Sequence, residues 1–502
     1  MRGNARVVFF MLVFVLATFS FSKAQDTIAK TVLSFEQALE LTKQNSHVIK
    51  QSQLLQQEKE QNLKSTRGLY LPTVGLSASY MMMSDDISLD LTPVRDAITP
   101  LYSTLSQYGR FSITGLSDDM ATAAVRNQLS QGLTKVQSAN WDQTIQEKNF
   151  GTVAADFKWP LYVGGKIRAA NKVAKLEKTE ADEITRQKEG ELTTELVERY
   201  FGLSLAKQAV KVRQDVFDGM KKHVDDAEKF EKHGFIANGD VLHAQFYQAQ
   251  AERELSKAKR TVDIINQALV STINLDENAV VEPISELFYL DTIESIDYYK
   301  KLAVEKNPLL LQVGDKKEMA EQNYKVQIAN FLPQIAVTGM YDIANKDLSP
   351  YVPDWMVGVG LKWSIFDGTH YNKARAALLK TKQVEEFQQK AGSDVETMID
   401  KLYNELNMYH EQLIELESAK SFAEELLRMR QKAFVEEMTN ATEVVDASLA
   451  LAQVRIERLQ AMYGYDLTLA RLLQYTGIPE EYCNYKQRTG VKTESYKSEK
   501  IN

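Results

Sequence analysis

Four segments of the chain alternate apolar with small or polar residues at every second position, the period of a β-strand. In the first, Val74, Leu76, Ala78 and Tyr80 share one face, opposite Thr73, Gly75, Ser77 and Ser79. In the second, Val153, Ala155, Phe157, Trp159 and Leu161 oppose Thr152, Ala154, Asp156 and Lys158. The third sets Ile335, Val337, Gly339 and Tyr341 against Gln334, Ala336 and Thr338. The fourth sets Trp355, Val357, Val359, Leu361, Trp363 and Ile365 against Gly358, Gly360, Lys362 and Ser364. A tilted strand needs about 9–11 residues to cross a bilayer, and these runs, at 71–83, 151–162, 333–344 and 355–366, are of that order. Apolar-out with small or polar-in is the pattern of a membrane barrel around water. Aromatic residues favour the membrane interfaces, which makes Trp159, Trp355, Trp363, Tyr80 and Tyr341 candidate interface residues. A soluble antiparallel sheet with one covered face has the same period. The uninterrupted apolar faces, and the length of the helices between the strands, argue against it.

The stretches between the strands are rich in Ala, Gln, Lys, Glu and Leu and carry few glycines or prolines. A helix begins near Ser34, where Glu36 and Glu40 suit the N-terminal dipole. It ends before Leu71-Pro72, because proline disfavours helix in the residue before it. Long helices follow at 165–232 and 371–437, with partners at 239–275 and 441–476. The breaks fall at His233-Gly234 and near Thr439-Asn440. Such lengths suggest coiled-coil packing, on stripes such as Leu192, Leu196, Val197, Tyr200 and Leu203.

The chain also repeats internally. Ser34 to Tyr80 aligns without gaps onto Ser295 to Tyr341, with Leu71-Pro72 on Leu332-Pro333. Later, Lys158-Trp159 matches Lys362-Trp363 and Ala249-Gln250 matches Ala452-Gln453. The boundaries are a first repeat at 25–275, a linker at 276–294, a second repeat at 295–478 and a tail at 479–502. The first copy holds a large polar loop, 84–150, that includes Tyr102, Tyr108 and Phe111; the second has only a short one there.

Composition narrows the function. A formal net charge of -8 gives no basic face for nucleic acid. Arg2 and Arg6, the apolar run Val7 to Phe21 and Ser22-Lys23-Ala24 read as a signal peptide, 1–24. The one cysteine, Cys483, allows no internal disulfide. The six histidines show no metal-ligand spacing, and no catalytic constellation is evident, so neither an enzyme nor a cofactor is expected.

Four strands cannot close a barrel, and an open sheet edge in lipid leaves backbone groups unpaired at several kcal/mol each. The sheet therefore demands oligomerisation, without choosing a number. Two further patterns accompany the Leu-Pro pairs. Trp159-Pro160-Leu161-Tyr162-Val163-Gly164-Gly165 is echoed by Trp363-Ser364-Ile365-Phe366-Asp367-Gly368. The helix breaks read Gly234-Phe235-Ile236-Ala237-Asn238-Gly239-Asp240-Val241-Leu242 and Thr439-Asn440-Ala441-Thr442-Glu443-Val444-Val445-Asp446-Ala447. In this order and duplication the chain resembles the TolC-like outer-membrane efflux protein family over about Leu33 to Ile478. The resemblance implies a mixed α and β membrane protein. Four strands per chain would join an oligomeric 12-stranded transmembrane β-barrel in outer-membrane lipid, continued by a long periplasmic α-helical coiled-coil barrel. It implies a homotrimer that docks a periplasmic membrane-fusion adaptor and an inner-membrane transporter, and conducts substrates passively.

The resemblance also places the helix breaks at a periplasmic tip, where carboxylates constrict the channel. By local match these are Glu443, Asp446 and Asp240. Residues three apart share a helix face, so Glu443 and Asp446 can form rings of negative charge about an axis, which select cations. Close like charges would raise some of their pKa values. The same residues suit the first turn of a helix, and Asn440 with Glu443 has capping-box spacing. Gate and cap both remain open on these residues. A periplasmic coiled-coil scaffold or adaptor without its own pore is the alternative function.

Overall fold

The computed structural model of the chain describes residues 30–107, 120–436, 438–439 and 441–496. The signal-like segment 1–24, Tyr108, Phe111 and the cap candidate Asn440 lie outside the described residues. In chain order, β1 (Lys30–Leu33), α1 (Phe35–Asn45), α2 (His47–Gly68) and β2 (Thr73–Met82) lead into β3 (Ile87–Asp90), α3 (Thr92–Ser106), α4 (Met120–Ser138) and β4 (Asp142–Gln146). Then follow β5 (Asn149–Tyr162), α5 (Lys166–Lys232), α6 (Asn238–Ile273), β6 (Val280–Pro283) and β7 (Leu287–Leu290). After them come α7 (Ile296–Lys306), α8 (Pro308–Ile328), β8 (Gln334–Lys346), β9 (Trp355–Lys362), α9 (Gly368–Val435) and α10 (Ala441–Tyr475). Last are α11 (Tyr482–Lys486) and β10 (Val491–Glu494).

Local chemistry sets several of these limits. Ser34 caps α1 reciprocally: its Oγ accepts from Gln37 N at 3.2 Å, and Gln37 Oε1 accepts from Ser34 N at 3.0 Å. The helix α9 starts ahead of the expected 371 because Asp367 Oδ1 accepts from the Thr369 backbone N–H at 2.8 Å. The strand β9 stops at Lys362, short of the expected 366. Trp363, just past it, turns its indole N–H to the Phe331 carbonyl at 3.0 Å.

The chain forms two compact units. One takes its described residues from Met1–Gln53, Glu183–Leu311 and Ala391–Asn502; the other is Leu54–Asp182 with Gln312–Lys390. Each unit therefore draws on both of the aligned stretches of the sequence.

In the first unit the stripe Leu192, Leu196, Val197, Tyr200 and Leu203 of α5 is buried. Phe35 stacks on Phe201 at 5.4 Å and meets Tyr200 and Tyr482 edge-on at 5.6 and 5.2 Å. The Tyr200 hydroxyl satisfies its buried polar end by donating to Leu33 O at 2.7 Å and accepting from Ser285 N at 3.1 Å. Here β1 pairs with β6 in parallel, and the tail strand β10 pairs antiparallel with β7.

The second unit holds an antiparallel sheet in the order β2-β5-β8-β9. The stretch read from sequence as one polar loop, 84–150, contains ordered elements. Met83 N donates to Lys148 O at 2.8 Å, so β3 and β4 continue the β2–β5 ribbon, and Leu91 N donates to Trp141 O at 2.7 Å. On this ribbon α3 packs on α4, where a Cβ on Gly132 would lie 3.0 Å from the Tyr102 ring. Neither helix buries a residue.

Candidate functional site

The strand registers join the four apolar faces into one. Across the sheet, Val74 faces Phe157, Phe157 faces Gly339, and Gly339 faces Val357. The next row runs Leu76, Ala155, Tyr341, Trp355. The opposite face carries Thr73, Lys158, Thr338 and Gly358 in register, with Asp156 beside them in the next row. Ser79 and Thr152 share a hydroxyl hydrogen bond of 3.0 Å on it. Pro160, which has no N–H to give the ladder, sits at a β-bulge.

Nothing among the described residues covers this apolar face. Val74 is 74% exposed, Leu76 76% and Val359 70%. A soluble protein rarely leaves so large a contiguous apolar patch open, and a half-buried soluble sheet would show one protected face. Every position of β2 and β9 is exposed. Among the predicted aromatics, Tyr80, Tyr341 and Trp355 are exposed on the sheet. The Trp159 indole N–H donates to Tyr70 O at 3.0 Å, as Trp363 does to Phe331 O. Each indole thus ties its strand to the backbone just beyond the helix that precedes the paired hairpin. Among the described residues, no helix is long and apolar enough to cross a membrane.

The helix breaks lie in the first unit. At the first, Gly234 takes the left-handed conformation, φ +78°. Phe235 N donates to Phe230 O at 3.0 Å and Gly234 N to Glu231 O at 2.8 Å. These two bonds are the Schellman ending of a helix, and its usual apolar contact is present as Phe235 meets Phe230 edge-on at 6.3 Å. Asp240 Oδ2 accepts from Ala237 N at 3.1 Å, which caps α6. Val224, Ala227, Val241 and Ala244 are buried between the two arms.

At the second break, Met438 N donates to Ala433 O at 2.8 Å. Glu443 forms an ion pair with Arg430, so the first turn of α10 is bonded to the last turns of α9. Asp446 is exposed and has no ion-pair partner among the described residues. The two hairpins meet through aromatics: Phe434 packs on Phe230 at 5.6 Å and on His223 at 5.2 Å. Burial pushes the His223 imidazole below its usual pKa, while nearby Asp226 opposes the shift. His233 and His243 pack against Phe235 and Tyr247. No group of three or more metal-ligating side chains exists among the described residues.

Sequence reasoning placed Asp240, Glu443 and Asp446 at the breaks but missed Arg430, Phe434 and His223. Arg430 gives no local signal, since its partner lies across the break. Phe434 and His223 could have been sought as bulky residues near the ends of the long helices.

The sequence profile of the outer membrane efflux protein family matches residues 38–275 and 300–478. No curated protein sequence matches the chain significantly. Among solved structures, the outer membrane protein VceC of Vibrio cholerae aligns with a TM-score of 0.66 at 15% identity, covering 88% of this chain and 96% of that one. The open-state MtrE outer membrane channel of Neisseria gonorrhoeae aligns at 0.66 and 13% identity, covering 89% of each chain. The Campylobacter jejuni CmeC outer membrane channel aligns at 0.65 and 12% identity, covering 90% of this chain and 88% of that one. The fold is thus that of outer-membrane efflux channels, and the family profile extends over both aligned halves of the sequence: this chain belongs to the outer membrane efflux protein family.

Proposed function

We propose that this chain is the exit duct of a tripartite efflux or type I secretion system. Three copies close a 12-stranded barrel in the outer membrane, and their paired helices, from a duplicated unit, form a channel on the periplasmic side. An adaptor and an inner-membrane transporter supply it, and substrates pass passively. The observation that carries this reading is the four-stranded sheet, with an uncovered apolar face and terminal strands β2 and β9. Such a sheet is tolerable in lipid only when further strands pair with its edges. Detergent-extracted protein is expected to run as an SDS-resistant oligomer that collapses on heating, and to conduct in planar bilayers. Recovery as a detergent-free soluble monomer without conductance would overturn the proposal.

Within it, Glu443 and Asp446 line the narrow periplasmic end, and Asp240 serves mainly as a helix cap. Repeated about a three-fold axis, Asp446 forms an exposed ring of charge, and Glu443 holds its hairpin closed through Arg430. Glu443→Gln with Asp446→Asn is expected to enlarge conductance or weaken cation selectivity. Single-channel recordings identical to the parent would sink the gate.

A further inference from the structure

The ribbon β3–β4 and the helices α3 and α4 form a built structure on the sheet, with an apolar side that nothing among the described residues covers. On α3, Val94, Leu101 and Leu105 fall at helical spacing on one side and are 49%, 59% and 40% exposed. On β3, Ile87 and Leu89 share a strand face and are also exposed. The other side of the insert is anchored. Gln146, at the end of β4, is buried; its Oε1 accepts from Ser349 N at 2.8 Å and its Nε2 donates to Asp347 O at 2.8 Å. One amide side chain thus clamps the insert to the β8–β9 turn of its own chain. Both hydrogen bonds are made to backbone, so the clamp fixes position.

The sheet order then says what lies on the free side. The strand β4 continues β5, which neighbours β8, and this is the side Gln146 holds. The strand β3 continues β2, the terminal strand, and α3 follows directly from it. Resting on the exit-duct reading, the edge of β2 must take β9 of a second copy. That copy's β8–β9 turn then arrives beside β3 and α3, as the chain's own turn lies beside β4. The turn is chemically suited to the stripe: Tyr351 is 69% exposed and Val352 beside it is also exposed.

We propose that the apolar side of the insert, Val94, Leu101 and Leu105 of α3, docks on the β8–β9 turn of the neighbouring copy at Tyr351 and Val352. The contact is head-to-tail, so it closes with the ring. Each insert bridges two turns, its own through Gln146 and its neighbour's through α3. The inserts therefore form a continuous collar at the outer mouth, joined outside the lipid.

Disulfide trapping tests this on the full chain in outer-membrane preparations, in a Cys483→Ser background with copper phenanthroline as oxidant. Leu101→Cys with Tyr351→Cys is expected to give linked dimers and trimers on non-reducing gels, and neither single variant should. Leu101→Glu, on an exposed position, is expected to lower the temperature at which the SDS-resistant oligomer dissociates. No cross-link from Val94, Leu101 or Leu105 to Tyr351 in a normal oligomer would overturn the docking and leave the exit duct standing. So would a disulfide-linked dimer from Leu101→Cys alone, or a Leu101→Glu effect confined to outer-membrane permeability, which would assign the stripe to lipid. Absence of any oligomer in the parent would instead overturn the exit-duct reading, and the docking with it.

Discussion

Asp466 is wholly buried on α10, accepting from Phe288 N at 3.3 Å and from the Tyr482 hydroxyl at 3.5 Å. Burial pushes its carboxyl well above the usual range; the Phe288 N–H, Lys486 and the Tyr482 hydrogen bond offset only part of this. An acid whose folded pKa is raised favours the fold most below its unfolded pKa, about 4, and loses that contribution as pH rises. Asp466→Asn keeps an acceptor without the charge, so it should raise the thermal midpoint at pH 8 and change it little near pH 4. Melting curves of the detergent-solubilised protein at both values check this, and an equal shift at both would contradict it. Little of this is legible in the sequence, where Asp466 is one acid among many. Glu443 could be picked out by its place after a break, but not Arg430, because an ion pair between two helices is set by how they align.

Helix ends show the same division. Gly234 and Gly477 both sit at positive φ, +78° and +79°. The first has open space around it, whereas a Cβ on Gly477 would lie 2.2 Å from the Lys306 carbonyl oxygen. Gly234→Ala should therefore cost only the left-handed penalty, roughly 1–2 kcal/mol. Gly477→Ala must also displace backbone and should cost clearly more. Urea midpoints of the two variants decide it, and equal losses would contradict the packing argument. Strands and breaks were readable because period and punctuation are local. The elements within 84–150 were not: α3 carries Pro100 and many Ser and Thr residues, and neither α3 nor α4 buries a residue, so the apolar contrast that marks a helix is weak.

At the scale of the molecule, the two units were not legible, because each is assembled by contacts from both aligned stretches. The tail shows the consequence. β10 pairs with β7, and its Glu494 is bonded to Arg458, whose side chain is 7% exposed, and to Lys420 at 3.1 Å. Tyr496 N donates to Gln208 Oε1 of α5 at 2.8 Å. A stop codon at Val491 removes these ties and leaves Arg458 with Glu417 as its ion-pair partner among the described residues. Removing one carboxylate from a buried guanidinium destabilises the fold even where a second remains, so the truncated chain should melt earlier and be cut faster by trypsin. Glu494→Gln should show a smaller part of the same loss, and an unchanged melt in the truncated chain would count against the strap.

The uncovered sheet also bears on how the chain reaches its place. In water, its apolar face and unpaired outer strands would template aggregation. A finished monomer carrying it has no safe resting state outside lipid. On the exit-duct proposal, the sheet takes shape as it meets the bilayer and its sister copies, whereas the helical unit has a buried core of its own. Until that encounter, on the same proposal, the strand edges and the apolar face stay open to wrong pairing.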